Sequence, residues 1–368
     1  MLKRLLSGDA FDQIPGLRWV ENGALLGEGV ALYAHTIDYI PAYHKLDMDY
    51  YSQISTGVLR PYFSKGVFVI FTLGCPFKCV FCAASQSPVK QKKVTVILDE
   101  LRLLKEKYHH NSFLIMDETF LLNKARRALE FCDAYEASGI GMPWAMQTRS
   151  NLLTEELIVR LKKAGCVHMS FGVESGSNRL LRLVSKGLTA EKNLEAFLLC
   201  RRYGVKTFAN MMLNLPGEEA EDIRLSEEWL QQAKPNHVAI ALATPLLGTQ
   251  MYEEHVKPPL THAEYGLWGS NDAFTRIVDP RFRVASHDLN LNKILAKMTI
   301  RYHMKSAFGL ICLDPWYREK VLGTMSKIEL LAAIRDRIWT KMRRYVYGVP
   351  YLLAKKAKRP SVEHHSQL

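Results

Sequence analysis

The sequence predicts an α/β protein: a partial (β/α)6 TIM-like barrel, with a short N-terminal β-hairpin connector and a helical, basic C-terminal extension. Three observations carry this. Short apolar runs alternate with amphipathic stretches from Val67 onward, the rhythm of parallel strands joined by crossover helices. Six such repeats fit between residue 67 and about residue 255, whereas a complete eightfold barrel needs around 250 residues. Cap and turn residues also stand where helices have to start or stop, at Gly139, Thr154 and Thr189. A doubly wound open sheet has the same periodicity and stays as the alternative. The boundaries read from these patterns are 1–64 for the connector, 65–255 for the barrel and 256–368 for the extension.

In the connector, Asn22-Gly23 is a type I′ turn signal for a hairpin. "VFVIFTL" (67–73) reads as the first barrel strand, and "TVILDELRLLKEKYH" as the helix after it. "SFLIMDETF" is the second strand, followed by the helix "ARRALEFCDAYEASG", which Gly139 stops in the left-handed conformation. "MPWAMQTRSN" is the third strand; "TEELIVRLKKAG" is a helix with Thr154 as N-cap and Glu156 in its first turn. "VHMSFGVESGS" is the fourth strand. Two helices come next, broken near Gly187, with Thr189 capping the second. "KTFANMMLNLPGE" and "HVAIALATPLLGT" are strands five and six, with the helix "AEDIRLSEEWLQQA" between them. In the extension, Leu331, Ile334, Ile338, Met342 and Tyr345 recur at helical spacing, flanked by Arg335, Arg337, Lys341, Arg343 and Arg344.

With 48% apolar residues the 368-residue chain has ample material for a core. No run approaches the roughly 18 apolar residues of a membrane span, and the apolar stretch of "MLKRLLSGDAFDQ" is too short for a signal peptide. A cytoplasmic protein is expected. The net charge of +12 is uneven: residues 1–290 carry 33 Lys and Arg against 32 Asp and Glu, and residues 291–368 carry 16 against 5. The basic tail helix is read as packing its apolar stripe on the barrel, or as an interfacial helix in peripheral contact with anionic lipid. No recognition module accompanies the charge, so nucleic acid is not an expected partner.

The chemistry is carried by "GCPFKCVFC" (74–82), which places Cys75, Cys79 and Cys82 directly after strand one, in the first βα loop. That loop opens at the C-terminal mouth of the sheet, where α/β folds place their sites. A closed zinc site wants four ligands. The other cysteines, Cys132, Cys166, Cys200 and Cys312, are far apart; the first three are expected as small core residues. Three thiolates around a [4Fe–4S] cluster would leave one iron open to a small molecule. A zinc knuckle borrowing a distant His is the competing reading.

The spacing C-x3-C-x2-C after a first strand, with Phe81 before the last cysteine, resembles the radical S-adenosylmethionine (SAM) superfamily. "MDETF", "QTRSNLLTEEL", "FGVESGSNRLL", "LNLPGEEAEDI" and "TPLLGTQMY" are similar to signature segments of its branch whose members usually carry a cobalamin-binding domain. The resemblance covers roughly residues 10–255. It implies that Cys75, Cys79 and Cys82 hold the cluster and that reductive cleavage of SAM yields a 5′-deoxyadenosyl radical. It further implies that Met116, Asp117 and Glu118 occupy the segment meeting the methionine amino group, although the glycines usual there are missing. Gln147 and Glu174 would face the ribose hydroxyls and the methionine end, Lys186 the methionine carboxylate, Asn210 the ribose and Phe81 the adenine edge. Arg149 is a further candidate for cofactor or substrate contact. "NLPGEE" has Asn214 where glycine is commoner, a change that left-handed backbone tolerates.

The stretch from "FDQIPGLRWVENGA" to "IPAYHKLDMDYYS" resembles the connector that follows a cobalamin domain, and no D-x-H-x-x-G motif occurs in the sequence. Three expectations stay open: a truncated or mis-started version of a longer protein, cobalamin supplied by a separate subunit, or an enzyme working without it. The implied function is C-methylation or another C–H functionalisation of a small-molecule or lipid substrate, with a flavodoxin- or ferredoxin-type electron donor. The alternative is a non-catalytic iron–sulfur or zinc scaffold subunit with a degenerate barrel.

Overall fold

The computed structural model describes residues 37–49, 65–122, 125–261, 280–298 and 301–302, together with short stretches among residues 7–26 and residue 264. Strands β1 (Trp19–Glu21) and β2 (Ala24–Leu26) form the expected hairpin, with Asn22 at φ +51° as a type I′ turn requires. After β3 (Gly66–Val69), a small antiparallel ladder joins β4 (Thr72–Leu73) to β5 (Lys90–Gln91). The main sheet continues through β6 (Ser112–Ile115), β7 (Trp144–Thr148), β8 (Cys166–Glu174), β9 (Lys206–Leu213) and β10 (His237–Leu242). All six main strands are parallel and stand in chain order, β3-β6-β7-β8-β9-β10.

That order separates the two candidate architectures. A doubly wound sheet reverses its strand order at a switch point. Right-handed crossovers that always step the same way put every helix on one face, and the twisted sheet curls around the other. The outcome is an α/β half-barrel. The outer layer comprises α1 (Val94–Glu106), α2 (Arg126–Ser138), α3 (Glu155–Lys163), α4 (Asn178–Leu183), α5 (Ala190–Arg202) and α6 (Ala220–Ala233). Beyond the sheet lie α7 (Gln250–His255) and α8 (Leu291–Met298).

Alternation along the strands sends Phe113, Ile115, Trp144, Met146, Met169, Phe171, Val173, Ala209 and Met211 to the buried outer face. Trp144 shows how tightly that layer is specified: it stacks on Phe113 at 6.0 Å, and its indole N–H donates to Ala164 O at 2.7 Å. The opposite register leaves Gln147, Ser170, Gly172 and Asn210 half-buried on the inside of the curl. Cys132, Cys166 and Cys200 are buried in the core, where desolvation pushes all three thiols up. Thr154 and Thr189 accept the backbone N–H groups of Leu157 and Lys192, and Gly139 ends α2 at φ +65°, as their positions predict.

The first barrel strand is shorter than the apolar run 67–73. The Phe71 N–H donates to Asp117 Oδ1 at 2.7 Å, and its carbonyl accepts from Lys92 N at 2.8 Å and from Arg127. A side chain thus takes the place of the next rung of the ladder. Residues 72–73 leave the sheet to pair with residues 90–91, which draws together the two ends of the cysteine loop.

Flanking segments join this core. Tyr43 donates to Glu100, which also binds Lys92; the ion pair is buried. Ala285, Leu289, Leu291, Leu295 and Met298 belong to the main core cluster, with α8 against β10. The tail stripe from Leu331 to Tyr345 lies outside the described residues, as does Cys312. Among the described residues no helix is long and apolar enough to cross a membrane.

Candidate active site

The loop between β4 and β5 is built to converge. Gly74 sits at φ +86°, and a Cβ there would lie 2.1 Å from Pro88 O, so only glycine lets the two ends of the loop approach this closely. Ser87 Oγ accepts the Cys75 N–H at 3.0 Å and donates to Ala84 O at 2.7 Å. The Cys82 N–H reaches Cys79 O at 3.1 Å, closing a turn that brings two of the three cysteines together. Val80 is the anchor: buried with Leu180, Val184, Leu215, Ala243 and Met251, it hydrogen-bonds through its backbone to Val184 O and Met251 N. Sequence reasoning passed over Val80 because its partners come from four distant places: α4, the ends of β9 and β10, and α7.

Each thiol has a polar group nearby. Thr119 Oγ1 lies 3.4 Å from Cys75 Sγ while its hydrogen goes to Glu118 O at 2.6 Å, and Arg149 Nη1 donates to Cys79 Sγ at 3.5 Å. Burial pushes the Cys82 thiol up, and the neighbouring Cys79 and Cys75 add to that; the Ala84 backbone hydrogen bond and the charge of Lys186 oppose it. The three cysteines and Lys186 therefore share one electrostatic neighbourhood. Among the described residues no three His, Cys, Asp or Glu side chains are arranged to hold one metal ion. Thiolates on separate irons of a cluster need not converge on a single point.

Beside the cysteines, Lys186 Nζ and Glu174 Oε1 form a 2.7 Å ion pair; the two residues are 5% and 7% exposed. Its geometry is imposed by the strand end. The β8–β9 register shifts between Gly172 and Glu174, and Glu174 adopts φ +63°. A bulge of this kind re-aims a side chain, here onto the inner face. A Cβ on Gly172 would lie 2.4 Å from Glu174 Oε1 and 2.9 Å from Lys186 Nζ, so the pair occupies the space that glycine leaves. A glycine inside a strand marks such an approach, and that signal was available in "FGVES".

Arg149 links the pair to the loop. It is 6% exposed, its guanidinium lies 3.8 Å from the Phe77 ring centroid, and Nη2 donates to Lys186 O. Its Nε is buried with no hydrogen-bond partner among the described residues. Orphaned donor capacity beside three thiols suits a sulfur-rich anionic group, and this donor set fits an iron–sulfur cluster.

The remaining candidates divide. Gln147 Nε2 lies 3.4 Å from Met116 Sδ, so these two meet on the inner face. Asn210 Nδ2 donates to Ser170 Oγ at 2.8 Å and to Phe171 O at 3.2 Å. Phe81 packs beside Met212 and Val284 around the Val80 cluster. Glu118 Oε2 accepts the Gly74 N–H at 3.3 Å. Asp117, 1% exposed, holds the Phe71 N–H instead of facing the mouth openly; burial pushes its carboxyl up to about 6, against hydrogen bonds from Thr72 and Phe71.

The arrangement is a curled parallel half-barrel of the α/β class with a three-cysteine loop at its C-terminal mouth. The chain carries a radical SAM domain: residues 69–230 match the model of the Radical SAM superfamily. Over 258 residues it is 29% identical to an uncharacterized methyltransferase of Pyrococcus horikoshii, covering 69% of this chain and 54% of that one. It is 27% identical over 291 residues to the hopanoid C-3 methylase of Methylococcus capsulatus, covering 77% and 53%. Among solved structures, the cobalamin-dependent SAM radical enzyme OxsB superposes with a TM-score of 0.59 at 18% identity, over 88% of this chain and 52% of that one. The methyltransferase TsrM of Kitasatospora setae gives 0.55 at 17%, over 69% and 51%. These structural likenesses show a shared fold. The chain spans about half the length of the two curated relatives described.

Proposed function

We propose that this chain is the catalytic core of a radical SAM enzyme that functionalises a C–H bond, by methylation in the first instance, on a small-molecule or lipid substrate. The observation that carries the reading is the placement of Cys75, Cys79 and Cys82 in one loop beside the buried Glu174–Lys186 pair. A bound [4Fe–4S] cluster with one iron free of protein ligands would pass an electron to the SAM sulfonium, giving methionine and a 5′-deoxyadenosyl radical.

The chain's own residues supply binding and orientation. The three thiols, deprotonated on ligation, would hold three irons of the cluster. Glu174 and Lys186 present one carboxylate and one ammonium, the charge complement of the amino and carboxylate groups of a methionine moiety. Asn210 has both amide hydrogens committed, which leaves Oδ1 to accept from a ribose hydroxyl; Gln147 offers a donor and an acceptor on the same face. Phe81 supplies apolar area for the adenine edge; of the segment after β6, Met116 and Glu118 are left to meet the methionine amino group, because Asp117 is buried and holds the Phe71 N–H. Methyl transfer is favoured by the names of the two curated relatives, both methylating enzymes. Cobalamin, where used, would come from a further segment or a separate subunit, and electrons from a flavodoxin- or ferredoxin-type donor.

The test is anaerobic reconstitution of the full chain with iron and sulfide, followed by reduction in the presence of SAM. The expected products are 5′-deoxyadenosine, and S-adenosylhomocysteine when methylcobalamin is added. A fully loaded cluster that yields neither would favour the scaffold reading.

A further inference from the structure

We propose that Arg149 sets the reduction potential of the cluster held by Cys75, Cys79 and Cys82, as the charged donor among the hydrogen bonds to its thiolates. This rests on the cluster-binding reading above. Of the polar groups beside the three sulfurs, Thr119 Oγ1, whose hydrogen goes to Glu118 O, and the Ala84 backbone N–H are neutral, and Arg149 Nη1 is cationic. The potential of an iron–sulfur cluster follows its net charge, the hydrogen bonds to its sulfurs and its exposure to solvent. One-electron reduction adds one negative charge to the cluster and needs no proton. A guanidinium within hydrogen-bond reach of Cys79 Sγ stabilises that added charge more than the neutral groups do, and more strongly because the site is buried. The effect is to raise the potential towards that of a physiological donor.

The geometry keeps the cation in place. Phe77 belongs to the cysteine loop, and its ring lies 3.8 Å from the guanidinium carbon. The Lys186 carbonyl accepts from Nη2. Arg149 is therefore fixed to the loop on one side and to the backbone of the ion-paired lysine on the other. It is a positioning residue for charge and is not required to touch substrate.

The test is an EPR-monitored potentiometric titration of reconstituted full-length protein, with dithionite as reductant and no SAM. Wild type is compared with R149M, R149Q, R149K and T119V, each with iron and sulfide quantified. R149M is expected to keep its iron and to titrate at a more negative potential, a tenfold loss in reduction equilibrium or about 59 mV for one electron. R149Q, which keeps a donor without the charge, should move nearly as far; R149K should recover most of the shift, and T119V should move less. A fully loaded R149M at the wild-type midpoint overturns the proposal. Should R149M lose iron, R149Q against R149K decides: a lower midpoint for R149Q supports the charge effect and equal midpoints overturn it. Wild type without any reducible cluster would instead sink the functional reading itself.

Discussion

Glu174 occupies a left-handed conformation that costs a non-glycine residue about 1–3 kcal/mol. What the strain secures is the position of one carboxylate over Gly172, 2.7 Å from Lys186 and out of water. Breaking a buried pair by removing one partner leaves an uncompensated charge at a cost of about 3–5 kcal/mol, whereas neutralising both is far cheaper. E174Q is therefore expected to lower the urea midpoint of unfolding sharply, and the double variant E174Q/K186M to recover most of it. SAM affinity, read by equilibrium dialysis on iron-loaded protein, should be lost in both. Tight SAM binding by the stable double variant would remove the pair from the site. At this scale placement was legible in the sequence where a polar residue ends a strand, as with Gln147 and Glu174, or where cysteines stand at tight spacing in one loop. It was opaque where a long side chain crosses the fold: nothing local connects Arg149 to Cys79, seventy residues earlier.

The turn between β9 and α6 shows what an element-level reading misses. "NLPGEE" reads as a tight turn in which Asn214 replaces glycine at positive φ, and Asn214 does adopt φ +64°. Yet the asparagine contributes more than tolerance. Its Nδ2 donates to Ala243 O and Phe282 O, both at 2.8 Å, and its Oδ1 accepts from the N–H groups of Val284 and Ala285. It ties the 282–285 segment to the top of β10, a role invisible in sequence because the partners lie about seventy residues on. The early end of the first strand escaped for the same reason, since Asp117 is distant from Phe71. In this turn Glu218 accepts the Asn214 N–H at 2.6 Å, and burial drives its carboxyl up to about 8 from an ordinary 4.5. A folded-state pKa above the unfolded one stabilises fully below the unfolded value and loses that contribution as pH rises through the folded one. Between about pH 4.5 and 8 the stability of the protein should therefore carry a falling component that E218Q lacks. Chemical denaturation of both proteins across that range measures it; parallel curves would show that the carboxyl ionises normally inside the fold.

At the scale of the molecule, the six-repeat count and the helix caps were readable because each is a local pattern repeated, and a parallel sheet with sequential order needs little more. The curl itself was not readable, since a doubly wound sheet has the same period, and only the order of strands in space tells them apart. Nor does composition reveal where the barrel's core ends. The basic 256–368 segment reads as an appendage, yet Leu291, Leu295 and Met298 present one helical stripe to the same core as β10. If α8 belongs to the barrel's cooperative unit, a defect in it must register throughout that unit. Met298 is 1% exposed, and truncating such a methionine to alanine costs about 2–5 kcal/mol. M298A in the full chain is expected to shift the unfolding transition followed by tryptophan fluorescence, in which Trp144 and Trp229 of the central layers take part. The same shift should appear by circular dichroism. A barrel transition unmoved by M298A, with a separate early step for the extension, would place the boundary near residue 255, where the periodicity alone puts it.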